Sequence, residues 1–174
     1  APGATRWLVE KGAEIEARIH LGRTPLYLAA SENSLESARR LVKLGADINA
    51  NDKYGYTPLI AAASENHVNV ATLLLSEGAD KEGRDNRGRT PLYHAAIKNS
   101  VKTARLLITK NVDIEVKDEN GYTPLTGAAR TNHLDTIRVL LDAGADIESI
   151  DATGYKPLHH AAEDNAPGAT MWLV

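Results

Sequence analysis

TPLIAAASENHVNVATLLLSEGADKEGRDNRGRT, residues 57–90, ends on the residue type it starts with, and the chain then resumes as Thr90-Pro91-Leu92. Working outward, Thr-Pro also stands at Thr24-Pro25 and Thr123-Pro124, and Lys156-Pro157 keeps the proline; every step is 33 residues. Other columns hold the same period. Ala-Ala recurs at 29–30, 62–63, 95–96, 128–129 and 161–162. Asparagine recurs at Asn33, Asn66, Asn99, Asn132 and Asn165, and glycine at Gly22, Gly55, Gly88, Gly121 and Gly154. A fixed period in this range, kept without a gap, is the mark of a repeat architecture.

The unit can be read physically. Threonine caps a helix N-terminus and proline tolerates the first helical position, so Thr57-Pro58 opens a helix to about Glu65. Asn66 then ends it in the left-handed region that asparagine accepts. A second helix runs from about Val68 to Glu77, with Val70, Ala71, Leu74 and Leu75 at helical spacing, and Gly78 stops it. Asp85-x-x-Gly88 is a turn signature that projects a hairpin finger.

The unit Asp52-Lys53-Tyr54-Gly55-Tyr56-Thr57-Pro58-Leu59, then Ala62-Ala63, then Leu73-Leu74-Leu75-Ser76-Glu77-Gly78-Ala79-Asp80, resembles the ankyrin repeat over essentially the whole chain. The resemblance implies an all-α solenoid of helix-turn-helix units with hairpin fingers. We divide it as one domain, 1–174: a partial unit 1–18, units 19–51, 52–84, 85–117 and 118–150, and a partial unit 151–174, with uncapped ends. The histidine that usually follows Pro-Leu stands only at His159. Lys81 replaces the isoleucine of Ile15, Ile48, Ile114 and Ile147, and Asn111-Val112 replaces Gly-Ala. These departures predict local weakness in the third and fourth units. Ankyrin-like proteins carry a hydroxylation target at the position of Asn49, although a hydrogen-bonding role explains this residue more simply.

Composition bounds the function. Net charge is −3, with 43 % hydrophobic and 25 % charged residues, no cysteine and no phenylalanine. Disulfides and thiolate metal sites are therefore excluded, and the core must be aliphatic. The mild charge predicts neither nucleic acid nor membrane as a partner. No signal peptide is visible in this stretch of sequence, so an intracellular location, cytoplasmic or nuclear, is expected.

Candidate chemistry dissolves into the repeat. Gly83-Arg84-Asp85-Asn86-Arg87-Gly88-Arg89-Thr90 resembles a phosphate-binding loop, but Gly88 and Thr90 belong to repeat columns. His94 and His160 share a column two units apart, too far for one metal, and no HExxH motif exists. Asp52, Asp85, Asp118 and Asp151 recur as turn formers rather than as an unlike acid–base pair. No catalytic residue, metal ligand or cofactor is expected; the chain reads as a binder rather than an enzyme.

The resemblance implies that another protein docks on the concave face of fingers and inner helices. Tyr54, Tyr56, Tyr122 and Tyr155 lie on fingers, beside Lys53, Arg84, Arg87 and Arg89. Tyrosine and arginine are enriched at binding hot spots. These eight residues form the expected protein-binding patch, suited to an acidic or phosphorylated segment. A simpler reading pairs the arginines with finger aspartates and stacks each tyrosine on a neighbouring finger.

The ends are near-copies. Residues 1–9 read APGATRWLV and residues 166–174 read APGATMWLV, a spacing of 165 residues. Uncapped ends predict end-to-end self-stacking. An engineered or fragmentary array without its own partner is the alternative to a scaffold segment, although the irregular columns speak for natural drift. The equivalent Trp7 and Trp172 fall in a column that packs between helices.

Overall fold

The computed structural model describes residues 7–8 and 11–174. The rest of the N-terminal copy, residues 1–6 and 9, lies outside the described residues. A short 3-10 turn, His20–Gly22, precedes ten helices. The inner row is α1 (Pro25–Ser31), α3 (Pro58–Ser64), α5 (Pro91–Ile97), α7 (Pro124–Arg130) and α9 (Pro157–Glu163). The outer row is α2 (Leu35–Lys43), α4 (Val68–Ser76), α6 (Val101–Thr109), α8 (Leu134–Asp142) and α10 (Pro167–Trp172). Each helix packs on its partner within a pair and on its counterparts along the row. Among the described residues there is no strand, and the whole is the all-α solenoid expected.

The caps behave as threonine chemistry requires. The hydroxyls of Thr24, Thr57, Thr90 and Thr123 accept from the backbone N–H three residues on, at 3.2–3.3 Å. Lysine cannot accept, so in the fifth copy His159 Nδ1 takes the Lys156 N–H instead, at 3.0 Å. Asn66 (φ 58°) and its four counterparts are left-handed, as is Asn111 (φ 54°) in a column otherwise held by Gly12, Gly45, Gly78 and Gly144.

Small side chains let the rows close. Ala62, Ala63, Ala95, Ala96, Ala128 and Ala129 are completely buried, with Leu59, Leu92, Leu125 and Leu140 filling between them.

Hydrogen bonds also cross between units. Asn66 Oδ1 accepts from Thr103 N–H (3.1 Å), and Asn132 Oδ1 accepts from Ala169 N–H (2.9 Å). Glu16, Asn49, Glu82 and Glu115 each accept the backbone N–H of the aspartate 31 residues on, at 2.8–2.9 Å. Asn49 thus bridges to the next unit.

At the departures from the repeat in the third and fourth units the side chains make contacts of their own. Lys81 Nζ donates to the carbonyls of Lys110 (2.6 Å) and Asn111 (2.9 Å), a cation at the C-terminus of α6 where the helix dipole favours it. Val112 joins the buried core. The tryptophans depart from the expected packing: Trp7 is 58 % exposed, and Trp172 is 41 % exposed beneath the Arg138 guanidinium.

Candidate functional site

Each of four fingers is closed by two backbone bonds: the N–H of Asp52, Asp85, Asp118 or Asp151 donates to the carbonyl four residues on, at 2.9–3.0 Å, and the aspartate's own carbonyl accepts from the glycine three residues on, at 2.9–3.2 Å. The aspartate side chain is buried beneath the turn. Its Oδ1 accepts the N–H groups two and four residues on, as Asp52 does from Tyr54 (2.8 Å) and Tyr56 (3.0 Å). Adjacent fingers join through Lys53 N–H to Leu21 O, Asn86 N–H to Tyr54 O, Glu119 N–H to Arg87 O and Ala152 N–H to Asn120 O. In the first finger Ile19 occupies the aspartate column, and there Leu21 takes φ 79°.

The second aspartate oxygen alternates its partner. Asp52 Oδ2 accepts from Arg23 Nε (3.3 Å) and Asp118 Oδ2 from Arg89 Nε (3.1 Å), each an arginine of the preceding finger. Asp85 Oδ2 accepts from His94 Nε2 (2.9 Å) and Asp151 Oδ2 from His160 Nε2 (2.7 Å), each a histidine of its own inner helix. Where histidine serves, the preceding finger supplies a tyrosine that packs edge-on against it: Tyr56 on His94 at 4.8 Å and Tyr122 on His160 at 4.9 Å. Where arginine serves, it also stacks on a tyrosine, Arg23 on Tyr27 (4.8 Å) and Arg89 on Tyr93 (5.1 Å).

Electrostatics follow this wiring. Burial alone would raise the Asp85 carboxyl, but bonds from His94 and from the Arg89 and Arg87 N–H groups hold it below its ordinary range. Burial pushes the Tyr93 phenol up to about 12 and raises Tyr56.

The expected patch therefore divides. Arg89 pairs with a finger aspartate, as the simpler reading expects, whereas Tyr56 and Tyr122 pack on inner-helix histidines rather than on a neighbouring finger. Lys53, Arg84 and Arg87 are exposed; Lys53 Nζ sits 5.0 Å from the Tyr54 ring and Arg87 faces Glu119 at 3.9 Å. Tyr54 is 48 % and Tyr155 43 % exposed. Tyr54, Tyr56, Arg87 and Arg89 line one hollow of about 350 Å³ together with Arg23. Lys53, Arg84, Tyr122 and Tyr155 do not line it. The residue missed by sequence reasoning is His94, which carries Tyr56 from below; its 66-residue spacing to His160 was the available signal.

The phosphate-loop resemblance resolves into the Asp85–Arg89 finger followed by a seven-residue helix. Among the described residues no group of three histidines or carboxylates is placed to hold a metal. Among them also, no helix is long and apolar enough to cross a membrane.

The sequence profile described as ankyrin repeats (3 copies) matches residues 2–85, 44–118, 82–151 and 113–174. No curated protein matches the chain.

Proposed function

The chain belongs to the ankyrin-repeat family, whose members are generally protein–protein interaction modules, and from that premise we propose that it is a recognition or scaffold segment that holds an acidic partner on its middle fingers. One observation supports this reading above others: the fingers 53–54 and 84–87 present Lys53, Arg84 and Arg87 outward while the finger aspartates Asp52 and Asp85 are buried and already bonded. The surface charge of these fingers is thus basic on a chain of net charge −3. Within this reading the chain binds rather than catalyses, the partner is met inside the cell, and the unit boundaries 19–51, 52–84, 85–117 and 118–150 stand as drawn.

The test is capture from a cell lysate by the chain and by an Arg84→Glu, Arg87→Glu version. Both side chains are exposed, so the exchange leaves the fold intact. A protein held by the parent, lost by the variant and released as salt rises is the expected result, because exposed charge pairs are screened. Equal capture by both, or retention at high salt, contradicts the proposal. Capture by neither favours an array without a partner of its own.

A further inference from the structure

Three hollows adjoin along the concave face. The finger hollow described above shares Arg23 and Tyr56 with a second, of about 260 Å³, over Ala61. Tyr27, Tyr56, His94 and Ile97 wall this middle hollow, and the exposed Lys98 lines it beside Glu65. A third shares Arg23, Tyr27, Ser31 and Glu65 with it and adds Glu32 at the far side.

The middle hollow has a sequence cause. Its floor column reads Leu28, Ala61, His94, Gly127 and His160. The two histidines fill their own positions by reaching Asp85 and Asp151. Over Gly127 neighbours close in, since a Cβ there would lie 2.7 Å from Ile97 Cγ2 and 3.2 Å from Tyr93 Cζ. Ala61, only 4 % exposed, forms the floor of the hollow that Tyr27, Tyr56 and Ile97 leave above it. At about 260 Å³ it is smaller than the roughly 300–1,000 Å³ of pockets that enclose a drug-sized ligand, so it suits one side chain rather than a small molecule.

Charge gives the hollows a polarity. Arg23 and Arg89 are paired with the buried Asp52 and Asp118, whereas Arg87 is exposed and meets the exposed Glu119, at 3.9 Å, in the finger hollow. At the other end Glu32 and Glu65 are exposed, and His67 uses Nδ1 on the Ala30 carbonyl. A nucleic-acid backbone would meet two carboxylates there. An extended peptide crossing the face meets carboxylates, then an aromatic-walled notch, then a guanidinium.

Resting on the reading above, we propose that the partner is an extended protein segment whose bulky apolar side chain seats over Ala61, with a basic residue toward Glu32 and Glu65 and an acidic one toward Arg87. Aromatic side chains suit the walls, whose rings offer edges and faces for tilted packing.

Four acetylated and amidated peptides test this by titration into the isotope-labelled chain, read by backbone amide shifts. One carries two lysines, a central phenylalanine and two glutamates, spaced by glycines; the others replace the phenylalanine with glycine, the lysines with glutamates, or the glutamates with lysines. The mixed-charge phenylalanine peptide is expected to shift the amides of Tyr56, Ala61 and Ile97 and to bind at least ten-fold more tightly than each of the others. Ala61→Leu, which puts a larger side chain on the floor of the hollow, abolishes those shifts. Glu65→Lys keeps the notch and weakens the mixed peptide toward the level of the all-acidic one. Shifts confined to the fingers, shifts unchanged in Ala61→Leu, or no shift near Ala61 with any peptide would overturn the proposal. Failure here is distinct from failure of the finger reading: a captured partner lost with Arg84→Glu, Arg87→Glu but kept by Ala61→Leu retains that reading and removes this one.

Discussion

Gly55→Ala is expected to destabilise the chain by about 3 kcal/mol, against about 1 kcal/mol for Gly88→Ala, although both glycines occupy one column of the repeat. Both are left-handed, with φ of 83° and 77°, so alanine pays a similar backbone cost of about 1 kcal/mol at either. The difference is what a Cβ would meet. At Gly55 it would lie 2.6 Å from Asn86 N and 2.9 Å from Asp85 C, backbone atoms of the next finger that cannot turn aside. At Gly88 the nearest atom is Asp118 Cα at 3.6 Å, an ordinary contact. Gly121 repeats the tight case, 2.6 Å from Ala152 N, and Gly22 the open one, 3.4 Å from Lys53 N. Urea unfolding of the four alanine variants checks this, with amide exchange at Tyr54 and Asn86 reporting local opening if the array does not unfold as one unit. Equal costs at all four positions would contradict the account of the finger ladder.

Asp85→Ala is the second large expected effect, a loss of about 3–5 kcal/mol. The carboxylate is buried and accepts from Arg87 N–H (2.8 Å), Arg89 N–H (2.9 Å) and His94 Nε2 (2.9 Å), and alanine orphans all three donors. Asp85→Asn keeps an oxygen for the turn and loses only the charged bond to His94, so it should cost about 1–2 kcal/mol. The pH dependence has a definite sign. A carboxyl held below its ordinary 3.8 in the folded chain contributes stability that is fully present above 3.8 and lost as pH falls through the lower folded value. The stability gap between parent and Asp85→Asn should therefore narrow as pH falls below 3.8. A gap that widens below that pH would refute the assignment.

The helices and their stops are legible in the sequence because each rests on a local rule. Thr57 caps α3, Asn66 and Gly78 take left-handed angles, and alanines stand wherever the inner row must close. The site is only half legible. Columns at a 33-residue spacing align equivalent positions, whereas the bonds that set the fingers run 29 residues back from Asp118 to Arg89 or 9 forward from Asp85 to His94. No single column displays that choice. It surfaces only when several columns are compared in steps of two units, where Arg23 and Arg89 alternate with Tyr56 and Tyr122 while His94 and His160 answer them. Tyr56, Tyr122 and Arg89 thus look like surface anchors in sequence and are half-buried struts in the structure. The hollow over Ala61 is still less visible, since an alanine among alanines carries no signal until Ile97 and Tyr93 are seen to close over Gly127.

A partner protein held on the middle fingers would show in amide hydrogen exchange of the chain with and without that captured protein. The expected result is slowed exchange at residues 53–56 and 84–89, with the outer helices Leu35–Lys43, Val68–Ser76 and Val101–Thr109 unchanged. Protection confined to those outer helices, with the fingers exchanging as fast as in the chain alone, would contradict it.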